Sequence, residues 1–211
     1  MLAWYFAREN NRLKFNDHRL ITIGKMHTVK CAPILCCQGL HGSVQLLDAL
    51  HYAPGPMLYR VDITRKLDIE GDKICGQRRK YLGVIDATEV VRRFTRNQAL
   101  INIEKIKPHC AASQYELILD WLKTGNPRLR VVAQTAAKAA ATAARSAAWS
   151  TVLPEAWHAA RFADMAARSA VLPGTWYAIQ SAARDAVLPD ARSTANEMLT
   201  QMVEAVMLGD A

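Results

Sequence analysis

The chain has 211 residues, 51% of them hydrophobic and 22% charged, enough for a sizeable core in one large domain or two small ones. That composition excludes a disordered tail, a collagen-like repeat and a mini-protein that needs disulfide staples. The formal charge of +8 is uneven: residues 1–132 carry 21 Lys and Arg against 12 Asp and Glu, giving +9, and the rest carry 6 against 7, giving −1.

A basic first part predicts an acidic partner, and a neutral second part predicts packing or assembly. Arg8 and Glu9 interrupt the only apolar run near the N-terminus, so no signal peptide is expected. No stretch approaches the roughly 20 apolar residues of a membrane helix, and no membrane partner is expected. Five cysteines, including the adjacent Cys36 and Cys37, fit free thiols in a reducing, cytoplasmic setting.

In chain order, Leu2 to Phe6 reads as a strand, Asn10-Asn11 as a turn, and Arg12 to Phe15 as a second strand before a turn at Asn16-Asp17. Arg19–Ile23 and Met26–Cys31 flank Gly24-Lys25 and predict a hairpin, with a further strand over Ile34–Cys37 limited by Pro33. Ser43 is the expected cap of a helix through Val44, Leu46, Leu47 and Leu50, which Pro54-Gly55-Pro56 ends. Met57–Thr64 alternates as a half-buried strand, and Lys73–Leu82 reads as another after the turn at Glu70-Gly71-Asp72.

Capping boxes at Asp86/Glu89 and Ser113/Glu116 predict helices ending near Leu100 and at Gly125, and Asn126-Pro127 opens a long Ala-rich helix. An internal repeat follows: Ala143-Ala-Arg-Ser-Ala147, Ala166-Ala-Arg-Ser-Ala170 and Ala182-Ala-Arg-Asp-Ala186 each precede Val-Leu-Pro, and the last two copies lie 16 residues apart. Proline starts each short helix, with Trp149, Trp157 and Trp176 as large core fillers among alanines. The expected architecture is α+β, with a basic β-rich domain over residues 1–110 and an Ala-rich helical domain over residues 111–211.

His27, Cys31, Cys36 and His41 are spaced x3, x4 and x4, but no C-x2-C knuckle is present, and no metal site is expected. Arg78, Arg79 and Lys80, then Arg92, Arg93 and Arg96, form basic clusters. Arg92, Arg93 and Arg96 lie on one helical side and would present three guanidinium groups to phosphate or carboxylate. These six residues are the expected partner-binding set. Nucleophile-elbow, H-E-x-x-H, Walker and G-x-G-x-x-G motifs are all missing, so neither catalysis nor a cofactor is expected.

The segment Cys36-Cys-Gln-Gly-Leu-His-Gly-Ser43, with Leu46, Leu47, Asp48, Leu50, Tyr52, Pro54, Tyr59-Arg-Val61 and Lys73, resembles an uncharacterised domain family encoded by phages and prophages. Its pattern is C-x-x-G-[FL]-H-[AG]-[SC] followed by a helix and a lysine-bearing strand, and the likeness covers about residues 1–90. Val44-Gln-Leu46 stands where the family has a proline region. The resemblance implies a phage or prophage setting and no activity.

The expected function is therefore a non-catalytic accessory protein acting in the host cytoplasm. It would bind nucleic acid or a host nucleoprotein complex, for example as a host-defence inhibitor of the anti-CRISPR kind. An assembly role, with a homo-oligomer formed through the helical region, is a further alternative.

A looser likeness is to ADP-ribosyltransferase folds, carried by Gly39-Leu-His-Gly-Ser43, Tyr52 and Tyr59-Arg-Val61. It implies that His41 and Ser43 hold the nicotinamide ribose of NAD, that Tyr52 joins them, and that Gln77 or Glu89 takes the last catalytic position. The first strand lacks the His or Arg of those folds.

Overall fold

The computed structural model describes residues 1–14, 17–101, 103–148, 158–159, 161–164, 176–187 and 189–209. In chain order the strands are β1 (Leu2–Ala7), β2 (Met26–Thr28), β3 (Leu40–Gly42), β4 (Met57–Thr64), β5 (Asp68–Glu70), β6 (Lys73–Gly76) and β7 (Arg78–Asp86). The α-helices are α1 (Leu46–His51), α2 (Thr88–Ile101), α3 (Ala112–Thr124), α4 (Arg130–Ala148), α5 (Trp176–Asp185) and α6 (Arg192–Leu208). Strands come first and all of these helices except α1 come later, so the fold is α+β, as expected.

Two compact units divide the chain: Met1–Val90 together with Ser193–Ala211, and Val91–Arg192. The boundary expected at residue 110 falls inside the second unit, and α6 belongs with the strands.

In the first unit an antiparallel sheet runs β1-β4-β7-β2, and a smaller antiparallel sheet runs β3-β6-β5. Alternation sorts the larger sheet's two faces. Ala3, Ala7, Tyr59, Val61, Ile63 and Tyr81 point into a core with Leu40 and Ile74. Trp4 and Arg60 lie on the opposite face, where the guanidinium stands 4.3 Å from the indole centroid. A bulge between Arg60 and Val61 keeps this alternation in step with β7.

Helix α6 buries Ala195, Leu199 and Val203 at i, i+4, i+8 spacing. Its Asn196 side chain accepts the Leu47 amide at 3.0 Å. Burial lowers the pKa of Arg60, and the Glu204 carboxylate further along α6 partly opposes this. Met207 Sδ would lie 4.0 Å from a Cβ placed on Gly83, the residue paired with Arg60.

Several expected elements differ. Arg19–Ile23 forms no strand, and β2 pairs with β7 instead, with Gly24 at φ +82° donating its amide to the Tyr81 carbonyl. Ile34–Cys37 is a turn closed by an Ile34–Gln38 bridge rather than a strand. Ser43 caps no helix, because its backbone bonds Trp4 in both directions, and Gln45 precedes α1. Lys73–Leu82 is two strands in different sheets, broken at Gln77. The Asn16 turn and Phe15 lie outside the described residues.

The Asp86 carboxylate accepts the Thr88 amide at the start of α2, the Asp86 half of the expected capping box. Helix α3 is capped by Ala111 rather than Ser113, with the Gln114 side chain accepting the Ala111 amide, and is closed by Gly125 in the left-handed region. Its Tyr115, Ile118, Trp121 and Leu122 pack on Ala133, Ala136, Ala137 and Ala140 of α4. Small residues let these helices approach closely, with aromatics filling the remaining space. Trp176 is buried, whereas Trp149, Trp157 and the first two Val-Leu-Pro segments lie outside the described residues.

Leu199→Ala is expected to destabilise the first unit by about 2–5 kcal/mol. Leu208→Ala, at a side chain 75% exposed, stays within about 0.5 kcal/mol. Urea unfolding of the full chain distinguishes them.

Candidate functional site

On β7 the side chains of Arg78, Arg79 and Lys80 alternate, so the middle one faces inward. Arg79 is 2% exposed. Its guanidinium stacks 3.7 Å from the Tyr5 ring centroid and 5.2 Å from that of Tyr81. Nε and Nη2 donate to the Tyr81 hydroxyl at 3.0 and 2.9 Å, and Nη1 donates to the His41 carbonyl. Among the described residues these are its hydrogen bonds and ring contacts, and no carboxylate pairs with it. Tyr59 packs edge-on to Tyr81, and burial pushes its hydroxyl up to about 12.

Arg79 forms part of the wall of an open cleft of about 660 Å³. Lys14 and Lys73 add positive charge, while Tyr5 and Tyr52 add aromatic surface. The acidic residue in the lining, Asp17, is engaged by Arg19 Nε at 2.8 Å, and this pairing holds its carboxyl below the usual range. The cleft is therefore electropositive.

One wall is the turn before β3. His41 Nε2 accepts the Cys36 amide at 3.2 Å. Burial first, then Arg79, pulls the imidazole below 6.5, and a bond to the Gly39 carbonyl opposes this. Gly39, at φ +115°, leaves no room for a Cβ, which would stand 2.3 Å from Cys75 Sγ. Across the cleft, Lys73 Nζ donates to Cys36 Sγ at 3.1 Å and stands 4.3 Å from the Tyr52 ring centroid. The Tyr52 hydroxyl donates to Asp72 at 2.6 Å.

His41, Ser43 and Tyr52 thus come together in the cleft lining, as the NAD-site alternative expects. Gln77 does not join them: it is buried where the chain leaves β6 for β7, and its amide donates to the Cys31 carbonyl at 2.9 Å. Glu89 lies on α2, not on a strand. His27 bonds the Tyr81 hydroxyl at 3.1 Å, and among the described residues no three His, Cys, Asp or Glu side chains gather as metal ligands.

The expected basic surface needs correction at two positions. Arg79 is buried by strand alternation. Arg96 lies against the C-terminal end of α3, where a Cβ on Gly125 would meet its Cζ at 2.8 Å and the helix carbonyls favour a cation. Arg78, Lys80 and Arg93 are exposed and Arg92 is half-buried. Lys14 and Tyr5 escaped sequence reasoning, and Lys73 entered it only as part of a motif. Comparison with family models, curated proteins and solved structures finds no match to this chain.

Arg79→Met is expected to cost about 1–3 kcal/mol for each buried acceptor it strands, read by chemical unfolding. His27 and His41 are both held below 6.5, chiefly by burial. The unfolded chain therefore binds more protons below that pH, so stability is full above about pH 6.5 and falls on acidification. Melting temperature against pH checks this, and the slope shrinks in His27→Phe.

Proposed function

We propose that the protein is a non-catalytic binding protein whose cleft receives a phosphate-bearing group from a nucleotide or nucleic acid. The observation that carries this reading is the Arg79 guanidinium: buried, facing the cleft, and paired with no carboxylate among the described residues. A cation out of water gains most from an anion brought to it, and Tyr5 and Tyr52 offer faces on which a base can stack. Lys14 and Lys73 extend the attraction towards solvent.

The likeness to a phage- and prophage-encoded family supports a phage setting. There a host nucleoprotein complex, including a CRISPR surveillance complex, has the required charge. Arg78, Lys80 and Arg93 remain available as exposed contacts to such a partner.

A second reading, ADP-ribosyl transfer from NAD, is favoured by His41, Ser43 and Tyr52 lining one cleft. Against it, the only carboxylate in the lining among the described residues is Asp17, tied to Arg19, and Gln77 is held by backbone.

Calorimetric titration with AMP, NAD and a short single-stranded RNA tests both. Lys14→Glu and Lys73→Glu are expected to weaken binding by about tenfold each, with affinity falling as salt rises. Arg92→Glu/Arg93→Glu/Arg96→Glu leaves AMP binding unchanged. Loss of binding only in that triple variant transfers the function to α2, and nicotinamide release from NAD favours the transferase.

A further inference from the structure

The chain has five free cysteines, and their surroundings differ. Cys75 is buried, with its thiol pushed up to about 11 chiefly by burial. Burial also raises Cys110, and Cys31 is half-buried. Cys36 and Cys37 are both exposed and both line the cleft. Among the described residues, only Cys36 has a cation on its sulfur, the Lys73 ammonium at 3.1 Å. That bond is the main cause raising the Lys73 pKa, so the ammonium persists beside the sulfur through the neutral range. Cys36 is held in place, at φ +63°, by its amide bond to His41 and by the Ile34–Gln38 bridge.

An exposed thiol in contact with an ammonium is open to incoming disulfides, and the cation stabilises the charge that its sulfur carries during attack. What that sulfur can do is narrowed by His41. Its Nε2 accepts the Cys36 amide, so the lone-pair nitrogen of the neutral ring is already engaged and the other nitrogen carries the ring proton, which leaves no free base for Sγ. Acyl transfer needs such a base. Disulfide exchange needs only a thiolate and access.

We propose that Cys36 is a covalent site that forms mixed disulfides with small anionic disulfides entering the cleft. Cys36 Sγ gives up its proton to solvent and attacks one sulfur of the incoming disulfide. A new S–S bond forms, the original one breaks, and the departing sulfur leaves as a thiolate that takes up a proton. The Cys36 sulfur rises from the thiol to the disulfide level as the departing sulfur falls from the disulfide to the thiol level, so the exchange balances without an outside oxidant. Lys73 steadies the attacking thiolate. The preference for anionic reagents rests on the positive cleft invoked under the proposed function, whereas the reactivity of Cys36 does not.

The experiment follows the full chain against oxidised glutathione (anionic), 2-hydroxyethyl disulfide (neutral) and cystamine (cationic), with modified peptides located by mass mapping over time. With the neutral reagent, Cys36 is expected to react about tenfold faster than Cys37. Lys73→Met brings the two rates together, Lys73→Arg retains the difference, and Cys36→Ser removes the fast phase. Equal rates at Cys36 and Cys37, or an unchanged rate in Lys73→Met, overturn the site. With charged reagents, normalised to free cysteine, glutathione disulfide is expected to outpace cystamine at Cys36. The reverse order overturns the anionic preference and the phosphate-binding reading with it, and leaves the reactive thiol standing.

Discussion

A buried guanidinium organises the first unit. A charge removed from water is tolerated only where hydrogen bonds and polarisable surface replace the water. Arg79 finds both in Tyr5, Tyr81 and the His41 carbonyl. The consequences spread outwards. Tyr81, bonded to Arg79, is also bonded to His27 and packed against Tyr59, so with Tyr5 all four strands of the larger sheet share one cluster. The bond to His41 ties that cluster to the smaller sheet, since His41 sits in β3. His41 in turn fixes the turn that carries Cys36. The cleft is thus a product of how one cation is accommodated.

Much of this was legible where local signals were strong. Met57–Thr64 alternates from Tyr59 onward and is β4 to the residue; Gly125 ends α3 because only a left-handed residue suits that cap. The hairpin expected around Gly24-Lys25 failed because alternation says that a segment is a strand but not which strand it joins. Met26–Thr28 is short, and pairing with β7 puts His27 next to Tyr81. Ser43 looked like a cap because a small polar residue precedes an apolar helix, yet its bridge to Trp4 determined its place.

The site shows the same division. His41, Ser43 and Tyr52 lie within one short segment, and the motif there drew notice. Arg78-Arg79-Lys80 read as a single basic patch, although a strand's twofold period sends the middle residue to the opposite face. That signal was available and was outweighed by the density of charge. The Cys36–Lys73 contact had no sequence signal, since the two meet only because β3 pairs with β6. Arg96 likewise took its role from Gly125, in the following helix.

The return of α6 to the first unit has a temporal consequence. The ribosome makes the strands bearing Trp4, Leu58 and Arg60, then all of Val91–Arg192, and only afterwards the helix whose Leu199 and Val203 are buried in that unit. At typical synthesis rates the delay is about 5–20 s, long compared with the folding of a short strand pair or a helix. Through that interval one face of the young sheet waits without its covering helix. The length of the intervening unit therefore acts as a timer, setting how long the face stays open to chaperones and to neighbouring nascent chains.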